Sequence, residues 1–416
     1  MTVLASDCKL AMANRPMSIL FPSHLPTSQG HRYIWIKTSQ RPFRDTGFPW
    51  FKMKIDTSLS GLTCNKGFID MARKLILLTE GHSNPHTAKT ACSILRYRPE
   101  EVVAVLDSTQ VGKPCEEVLG TGAGIPFVSH LDEASEANTL LIGIAPPGGQ
   151  IPQAWRVVIL AAIERGMDVV SGLHDFITED EEFVAAATQK QVSLVDVRKN
   201  DFQKIARRPP FREECLRIHT VGHDCSVGKM VTAIEITNAL KDSGHDAKFL
   251  ATGQTGIMIE GDGYPIDRIV ADFVSGAAED LLLQNQHHEI LVFEGQGSLV
   301  HPSYSAVTLG LLHGCQPHAL ILCYEVGRET ITGVEHLAIP PLSRIRELNE
   351  TMASLHQPCP VIGISMNSRR LTPAEAAEER DRVEEEMNLP VCDVFRDGPD
   401  KLRDAVLNHQ QTLLKP

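Results

Sequence analysis

The sequence lacks several residue patterns that mark common kinds of site. Its ten cysteines are scattered without a C-x-x-C pair and no H-E-x-x-H motif occurs, which disfavours a zinc site. Scattered, unpaired cysteines are typical of a reducing compartment, so we expect a cytoplasmic protein with free thiols. The apolar runs are far shorter than the roughly 20 residues that a membrane-spanning helix needs.

An excess of positive charge is also missing from the chain. The formal net charge is -12 at pH 7, and such a surface repels a nucleic-acid backbone. We therefore expect neither nucleic acid nor a membrane as a partner. Apolar residues make up 42% and charged residues 22% of the 416 positions, as in soluble globular proteins. The expected partners are a small-molecule substrate and further copies of the same chain, in a homo-oligomer.

The chain divides into four segments of different composition. Residues 1–72 hold many of the aromatics with little periodicity, so we predict a poorly ordered leader, either a transit peptide or the product of an upstream start codon. Residues 73–198 and 215–416 alternate Val/Ile/Leu-rich strands with helical patterns, and a charged, proline-bearing linker at 199–214 separates them. This rhythm predicts two doubly wound α/β domains with parallel sheets, the first Rossmann-like and the second like a P-loop NTPase.

The first strand-to-helix turn of the N-terminal domain has the sequence TEGHSNPHTAKT. It lacks G-x-G-x-x-G, so the domain is Rossmann-like in form without the dinucleotide fingerprint. His82 and Asn84 lie in this turn, and Asp107 ends the second predicted strand, where a ribose is often held. We predict that these three residues contact substrate, although each also suits a capping or turn role.

The most informative stretch is a strand, a glycine-rich loop and a helix between Cys215 and Leu240. Glycines let backbone N–H groups turn inward, the helix N-terminus adds its positive dipole end, and Lys229 adds a point charge. This order predicts a cradle for two or three phosphates. The predicted cofactor-binding residues are Gly222, Asp224, Cys225, Ser226, Val227, Gly228, Lys229 and Met230.

This loop departs from G-x-x-x-x-G-K-[ST] in two ways. Five residues separate Gly222 from Gly228, and Met230 stands where a hydroxyl normally reaches Mg²⁺. Thr232 is the nearest hydroxyl that can replace it. The stretch EILVFEGQGS predicts a strand that ends in an acid, so Glu294 is the other metal candidate if Mg²⁺ is used.

Other polar residues near these motifs are weaker candidates for chemistry. His301 is the candidate general base, because histidine titrates near neutral pH, and a packing role is equally consistent. Asp272, in a helix predicted over 264–284, and His313 are candidate substrate contacts. Cys225 can be a low-pKa nucleophile beside Lys229, or simply a small loop residue. The four glycines of GQTGIMIEGDG predict a surface loop near the site.

Several strings carry resemblances to known proteins. The loop spacing and VFEGQGS resemble dethiobiotin synthetase and cobyrinic-acid amidases, a class in which an asparagine ending a late strand contacts the base. The resemblance implies this role for Asn367. It also implies that Lys229 and Glu294 act at the reacting centre, beside a bound nucleotide. Over residues 74–410 the chain resembles one uncharacterised-protein family with a Rossmann-like and a P-loop domain. The strings that carry it are LLTEGHSNPHTAKTA, VGHDCSVGKM, ATGQTGI, FEGQGSLVHPSYSAVTLGLLHG and VIGISMN.

Some members of this family are described as D-glutamate N-acetyltransferases. The resemblance implies transfer of acetyl from acetyl-CoA to D-glutamate or a similar D-amino acid. A glycine-rich loop with Lys229 can hold the pyrophosphate of CoA, and Met230 suits a reaction without phosphoryl transfer. Two alternatives remain open: an ATP- and Mg²⁺-dependent ligase or kinase acting on a small carboxylate, and a nucleotide-sensing regulatory protein.

Overall fold

Two parallel β-sheets of six strands each form the framework of residues 73–413. They are seen in a computed structural model that describes residues 73–146 and 148–413. Before residue 73 it describes only the backbone of an antiparallel strand pair, β1 (Tyr33–Ile36) and β2 (Phe51–Lys54). The predicted leader, residues 1–72, otherwise lies outside the described residues. In the described part, no helix is both long and apolar enough to cross a membrane.

The N-terminal sheet is parallel throughout and has the strand order β5-β4-β3-β6-β7-β8. Strand β3 is buried along its whole length, because helices cover both faces of the sheet. The strands are β3 (Leu75–Leu78), β4 (Val102–Leu106), β5 (Phe127–Val128), β6 (Thr139–Ile142), β7 (Asp168–Ser171) and β8 (Leu194–Asp196). The helices are α1 (Lys89–Tyr97), α2 (Cys115–Leu119), α3 (Arg156–Glu164) and α4 (Glu181–Lys190).

The C-terminal sheet is also parallel, with the order β10-β11-β9-β12-β15-β16. The strands are β9 (Leu216–Gly222), β10 (Ala247–Leu250), β11 (Ile290–Phe293), β12 (Ala319–Glu325), β15 (Val361–Asn367) and β16 (Val391–Cys392). A separate antiparallel hairpin consists of β13 (Thr330–Ile331) and β14 (Val334–Ala338). The helices are α5 (Lys229–Asp242), α6 (Gln254–Glu260), α7 (Val274–Asn285), α8 (Ser305–Cys315), α9 (Leu342–Ala353), α10 (Pro373–Met387) and α11 (Asp400–Leu413). The predicted fold class is confirmed.

The strand order places a crevice at the end of the first strand of each sheet. In the C-terminal sheet, β9 lies between β11 and β12, so the chain leaves β9 toward one side and later returns on the other. In the N-terminal sheet, β3 lies between β4 and β6 in the same way. Ligands of open α/β sheets bind at the carboxyl ends of the strands at such switch points.

Two predictions for the C-terminal domain, one of a surface loop and one of a helix, need correction. The predicted surface loop at 253–263 contains α6, most of which is buried. Its glycines serve close packing, because a Cβ on Gly256 would lie 2.6 Å from the carboxylate of Glu294. The helix predicted over 264–284 begins only at Val274, and Asp272 lies before it in a short 3-10 turn. By contrast, the order Thr372-Pro373 in LTPAEAAEERDRVEEEMN predicts an N-cap followed by the first residue of a helix, and α10 begins in this way.

The stretch 199–214 contains no helix or strand and packs against α7. The carboxylate of the buried Glu279 accepts hydrogen bonds from the backbone N–H groups of Arg207 and Arg208, at 2.8 and 2.7 Å. A Cβ on Gly276 would lie 1.8 Å from the carbonyl oxygen of Lys204, so only glycine admits the chain here. Helix α7 therefore fixes the course of this stretch between the two sheets.

Replacement of Glu279 by alanine should destabilise the fold by about 2 kcal/mol, because two part-buried N–H groups lose a charged acceptor. The free energy of unfolding, measured in urea, checks this change. Glu385→Ala on the exposed side of α10 is the control and should shift that free energy by less than about 0.5 kcal/mol. Equal effects of the two substitutions would contradict the anchoring role of Glu279.

Candidate functional site

The loop between β9 and α5 has the geometry of a phosphate cradle. Ser226 and Gly228 both have positive φ, at 56° and 109°, which turns the chain before α5 begins at Lys229. In the described part of the chain, the N–H groups of Ser226, Val227 and Gly228 donate to no protein acceptor. Free N–H groups at a helix N-terminus are donors for an anion.

The side chain of Lys229 is buried between two glycine-bearing segments. Only 6% of the residue is exposed, and its Nζ donates to the carbonyl oxygen of Asp224 at 2.8 Å. A Cβ on Gly222 would lie 3.2 Å from Nζ, and one on Gly295 would lie 3.0 Å from Cδ. Burial lowers the pKa of Lys229, although the nearby Cys225 and Asp224 oppose that shift.

Asp224 holds the phosphate loop against the hairpin β13–β14. Its Oδ2 accepts from the backbone N–H and the hydroxyl of Thr332, at 3.0 and 2.8 Å, and from Arg328 at 2.9 Å. Burial opposes ionisation, but these bonds outweigh it and hold the pKa of Asp224 below its usual value. Arg328 also donates to the carbonyl oxygen of Cys225 at 2.7 Å, so the loop is fixed from two sides.

Asp224, Cys225 and His301 bring their donor atoms within 4.8 Å of one another, a spacing that suits a metal ion. The hydrogen bonds of His301 argue against coordination. Its Nδ1 accepts from the N–H of Ser303 at 3.1 Å, so Nε2 carries the proton and donates to the carbonyl oxygen of Thr332 at 3.1 Å. His301 as general base stays a prediction, and both of its ring nitrogens already have partners.

Burial raises the pKa of the Cys225 thiol, despite the opposing charge of Lys229. The hypothesis of a low-pKa nucleophile at Cys225 is therefore wrong, because desolvation of the thiolate exceeds its attraction to the nearby cation. Cys225 remains a candidate contact within the loop.

Glu294 follows β11 and lies beside the loop, with 4% of the residue exposed. Its Oε2 accepts from the N–H groups of Thr252 and Gly253, at 2.8 and 3.0 Å, and its Oε1 lies 3.3 Å from the amide nitrogen of Gln296. Burial raises the pKa of Glu294 to about 7, against the opposing effect of the two N–H groups. A carboxyl group with this pKa can exchange protons near neutral pH.

A cleft between the two halves contains residues that the sequence did not predict. Arg198 donates to Asp267 at 2.9 Å and to Gln254, at the start of α6, at 2.8 Å. Gln254 also packs against Gly172, the residue that follows β7, where an added Cβ would lie 2.9 Å from the Gln254 side chain. The carboxyl edges of both sheets therefore border the same cleft.

Lys89, at the start of α1, faces this cleft. The residue is exposed to solvent, but its neighbours partly desolvate the ammonium group and so lower its pKa. The positive charge of Arg198 lowers this pKa further. Cys225 and Asp267 are close enough to oppose that shift. Among the described residues, Lys89 has no ion-pair partner within hydrogen-bond distance. Sequence reasoning could have identified Lys89 from one signal, a lysine at the start of the helix that follows the turn TEGHSNPHTAKT.

The three predicted contacts of the N-terminal domain lie at the carboxyl edge of its sheet and have local partners. His82 packs edge-to-face on Trp155, with ring centroids 5.7 Å apart. The side chain of Asn84 accepts from the backbone of Thr87 at 2.9 Å, as a turn residue does. Asp107 accepts from the hydroxyls of Ser83 and Thr109. Their role as substrate contacts stays a prediction.

The remaining candidates lie in separate places. Thr232 is buried one turn into α5, and its hydroxyl is bonded to that of Ser365 at 2.7 Å, away from the loop. Asn367 ends β15, two strands from the loop. His313 is on α8, where burial lowers its pKa. The structure thus brings Lys229, Glu294 and His301 to one edge, while Asp272 and His313 have no contact with the loop among the described hydrogen bonds.

Comparisons with known proteins match both halves of the chain. Residues 204–403 match a family model described as a domain of unknown function, the DUF1611_C P-loop domain, and residues 108–200 match the DUF1611_N Rossmann-like domain. A curated protein of Tritonibacter scottomollicae named D-glutamate N-acetyltransferase is 39% identical over 325 residues, which is 77% of this chain and 94% of that protein. A protein of the same name from a Pseudoalteromonas species is 39% identical over 267 residues, or 64% and 80% of the two chains.

A solved structure supports the same arrangement. The crystal structure of a DUF1611 family protein from Anabaena variabilis is 35% identical to this chain and has a TM-score of 0.74. The match covers 81% of this chain and 99% of that protein.

The raised pKa of Glu294 predicts a pH-dependent stability difference between the wild type and Glu294→Gln. A carboxyl group whose pKa rises from 4.5 to about 7 on folding makes the folded state lose stability as the pH rises between these values. Glutamine keeps an acceptor for the two N–H groups and does not titrate. From pH 5 to pH 8, the variant should gain about 2 kcal/mol of unfolding free energy relative to the wild type. Urea unfolding at both pH values measures this, and a constant difference would contradict it.

Proposed function

The chain belongs to the DUF1611 family, and from that premise we propose that it is an N-acetyltransferase. It moves the acetyl group of acetyl-CoA to the amine of D-glutamate or a similar D-amino acid. The names of two relatives that are 39% identical support this proposal. The observation on which it chiefly depends is a buried carboxyl group, Glu294, with a pKa of about 7 beside a phosphate-binding loop.

The loop suits the pyrophosphate of the donor. The N–H groups of Ser226, Val227 and Gly228 are free to donate, and the ammonium of Lys229 lies beneath them. These groups resemble a helix N-terminal anion site in both charge and geometry. A pantetheine arm that turns back from the loop into the cleft would bring the thioester beside Glu294.

Glu294 is the proposed general base. In the reaction, the amine nitrogen bonds to the acetyl carbon while the carbon–sulfur bond breaks, and the amine proton passes to Glu294 and then to the leaving thiolate. A base near pKa 7 is suited to both proton transfers. His301 is less suited to this role, because Ser303 and Thr332 engage its ring nitrogens.

The cleft suits an acceptor with carboxylate groups. Lys89 lacks an ion-pair partner in the described structure, and Arg198 lies close enough to influence its pKa. A carboxylate bound to this unpaired ammonium is favoured where the walls restrict solvent, while Arg198 stays paired with Asp267. An acidic amino acid supplies two such groups, so we assign Lys89 to one of them.

Phosphoryl transfer fits the site less well than acetyl transfer. Met230 provides no hydroxyl for Mg²⁺, and the hydroxyl of Thr232 is bonded to Ser365. An ATP-dependent ligase is therefore the second candidate.

The test is to incubate the full chain with acetyl-CoA and D-glutamate and to measure free thiol. The expected result is thiol release that depends on the D-amino acid and is much slower with L-glutamate. Parallel reactions contain ATP and Mg²⁺ with the same carboxylates. Carboxylate-dependent ADP release without thiol release would favour the ligase and overturn the proposal.

In the same assay, Glu294→Gln should lower kcat by about a hundredfold or more, because the amine loses its proton acceptor. For the wild type, kcat/KM for acetyl-CoA should rise as the pH increases through about 7, where the carboxyl group ionises. The residual rate of the variant should lack this titration. An unchanged pH profile in the variant would assign the base to another residue.

Lys89→Met should raise the KM for D-glutamate by about tenfold or more, with a smaller change in the KM for acetyl-CoA, because one carboxylate loses its cation. Lys113→Met is the matched control, since Lys113 is exposed and bonded only to Gln110. Steady-state thiol release with each substrate varied in turn separates the two KM values. If the KM for D-glutamate stays unchanged, the carboxylates bind elsewhere.

A further inference from the structure

One buried carboxylate at the edge of the C-terminal sheet is surrounded by three arginines. Glu325 ends β12, and its side chain is fully buried. It pairs with Arg328 on one oxygen. On the other oxygen it accepts from Arg369 at 2.8 Å and lies 3.4 Å from Arg370. Such a concentration of guanidinium groups is unexpected in a chain with a net charge of -12.

The two outer arginines are available to a further anion. Arg328 is 13% exposed and shared between Glu325 and Asp224. The side chains of Arg369 and Arg370 are 51% and 64% exposed. Three guanidinium groups thus share two carboxylates, which leaves a positive charge on the solvent side. This excess charge lies on Arg369 and Arg370.

The segment that bears these two arginines is held in place by its neighbours. The backbone N–H and hydroxyl of Ser368 donate to Asp393, at 3.0 and 2.6 Å. Arg396 donates to the carbonyl oxygens of Ser368 and Leu371. A backbone fixed on both sides reduces the entropy cost of binding an anion with these side chains.

The position of the arginines relative to the phosphate loop suggests which anion they bind. The loop follows β9 and the arginines follow β15, with β12 between them, so they are roughly 10 Å apart along the same carboxyl edge. Arg328 connects the two places, since it contacts both Cys225 and Glu325. Glu294 follows β11, on the opposite side of the loop. A nucleotide with its pyrophosphate on the loop and its acyl arm toward Glu294 has its ribose on the arginine side.

We propose that Arg369 and Arg370 bind the 3′-phosphate of coenzyme A. This inference rests on the proposed function, because it takes acetyl-CoA as the donor. The 3′-phosphate is one ribose away from the pyrophosphate, and Arg369 and Arg370 reach back toward the loop as far as Glu325 at the end of β12, which shortens the distance to be spanned. The planar fork of arginine matches the oxygens of a phosphate group. ATP has no phosphate at this position, so the pair also selects CoA over ATP.

Equilibrium titration of the full chain with CoA and with 3′-dephospho-CoA tests the proposal. The wild type should bind CoA about tenfold or more tightly, as expected for charge-assisted hydrogen bonds. Arg370→Gln should move the ratio of the two Kd values toward one and leave the Kd of 3′-dephospho-CoA unchanged. Arg403→Gln on α11, whose partners are Asp400 and Asp404, is the matched control and should keep the full ratio.

A double variant, Arg369→Gln with Arg370→Gln, should abolish the preference. If this variant fails to fold because Glu325 loses two partners, Arg370→Gln alone decides, since Arg370 is the more exposed arginine. Equal Kd values for CoA and 3′-dephospho-CoA in the wild type would overturn this inference. Thiol release from acetyl-CoA in the transferase assay would still support the proposed function. A preference that survives in Arg370→Gln would place the 3′-phosphate elsewhere. Absence of both CoA binding and thiol release would overturn both proposals.

Discussion

The carboxyl edge of the C-terminal sheet depends on keeping the ammonium of Lys229 charged while it is buried. A buried ammonium without partners costs several kcal/mol. One carbonyl oxygen, at 2.8 Å, supplies part of the compensation, and the nearby Asp224 carboxylate supplies more. The lowered pKa of Lys229 shows that this compensation is incomplete. An anion bound to the free N–H groups of the loop would supply what is missing.

The same requirement explains the row of charges that leads away from the loop. Asp224 is itself buried and needs the cation of Arg328, and Arg328 lies against a second buried acid, Glu325. Each buried charge therefore depends on the next, until the row reaches the exposed arginines after β15. The hairpin β13–β14 has a clear place in this arrangement, because its Thr332 supplies two of the bonds that hold Asp224.

Contiguous features could be predicted from the sequence, and features assembled by packing could not. The phosphate loop and the capped start of α10 each lie in one short stretch, so their residue order is sufficient. Arg198 meets Gln254 of α6, and Lys89 lies near Arg198, only because the two domains pack against each other, and no local pattern indicates these contacts. Helix α6 was predicted as a loop for a related reason. Its glycines allow close approach to Glu294, which sequence alone does not distinguish from turn formation.

The proximity of the loop to Glu294 couples donor binding to the proposed proton transfer. Lys229 lowers the pKa of Glu294, while burial and Asp267 raise it. A pyrophosphate on the loop places negative charge beside Lys229 and cancels part of its positive potential at the carboxyl group. The pKa of Glu294 then rises above its value in the free protein, and Glu294 becomes a stronger base when the donor is bound. In the proposed reaction, a donor that binds first would therefore strengthen the base before the acceptor amine arrives.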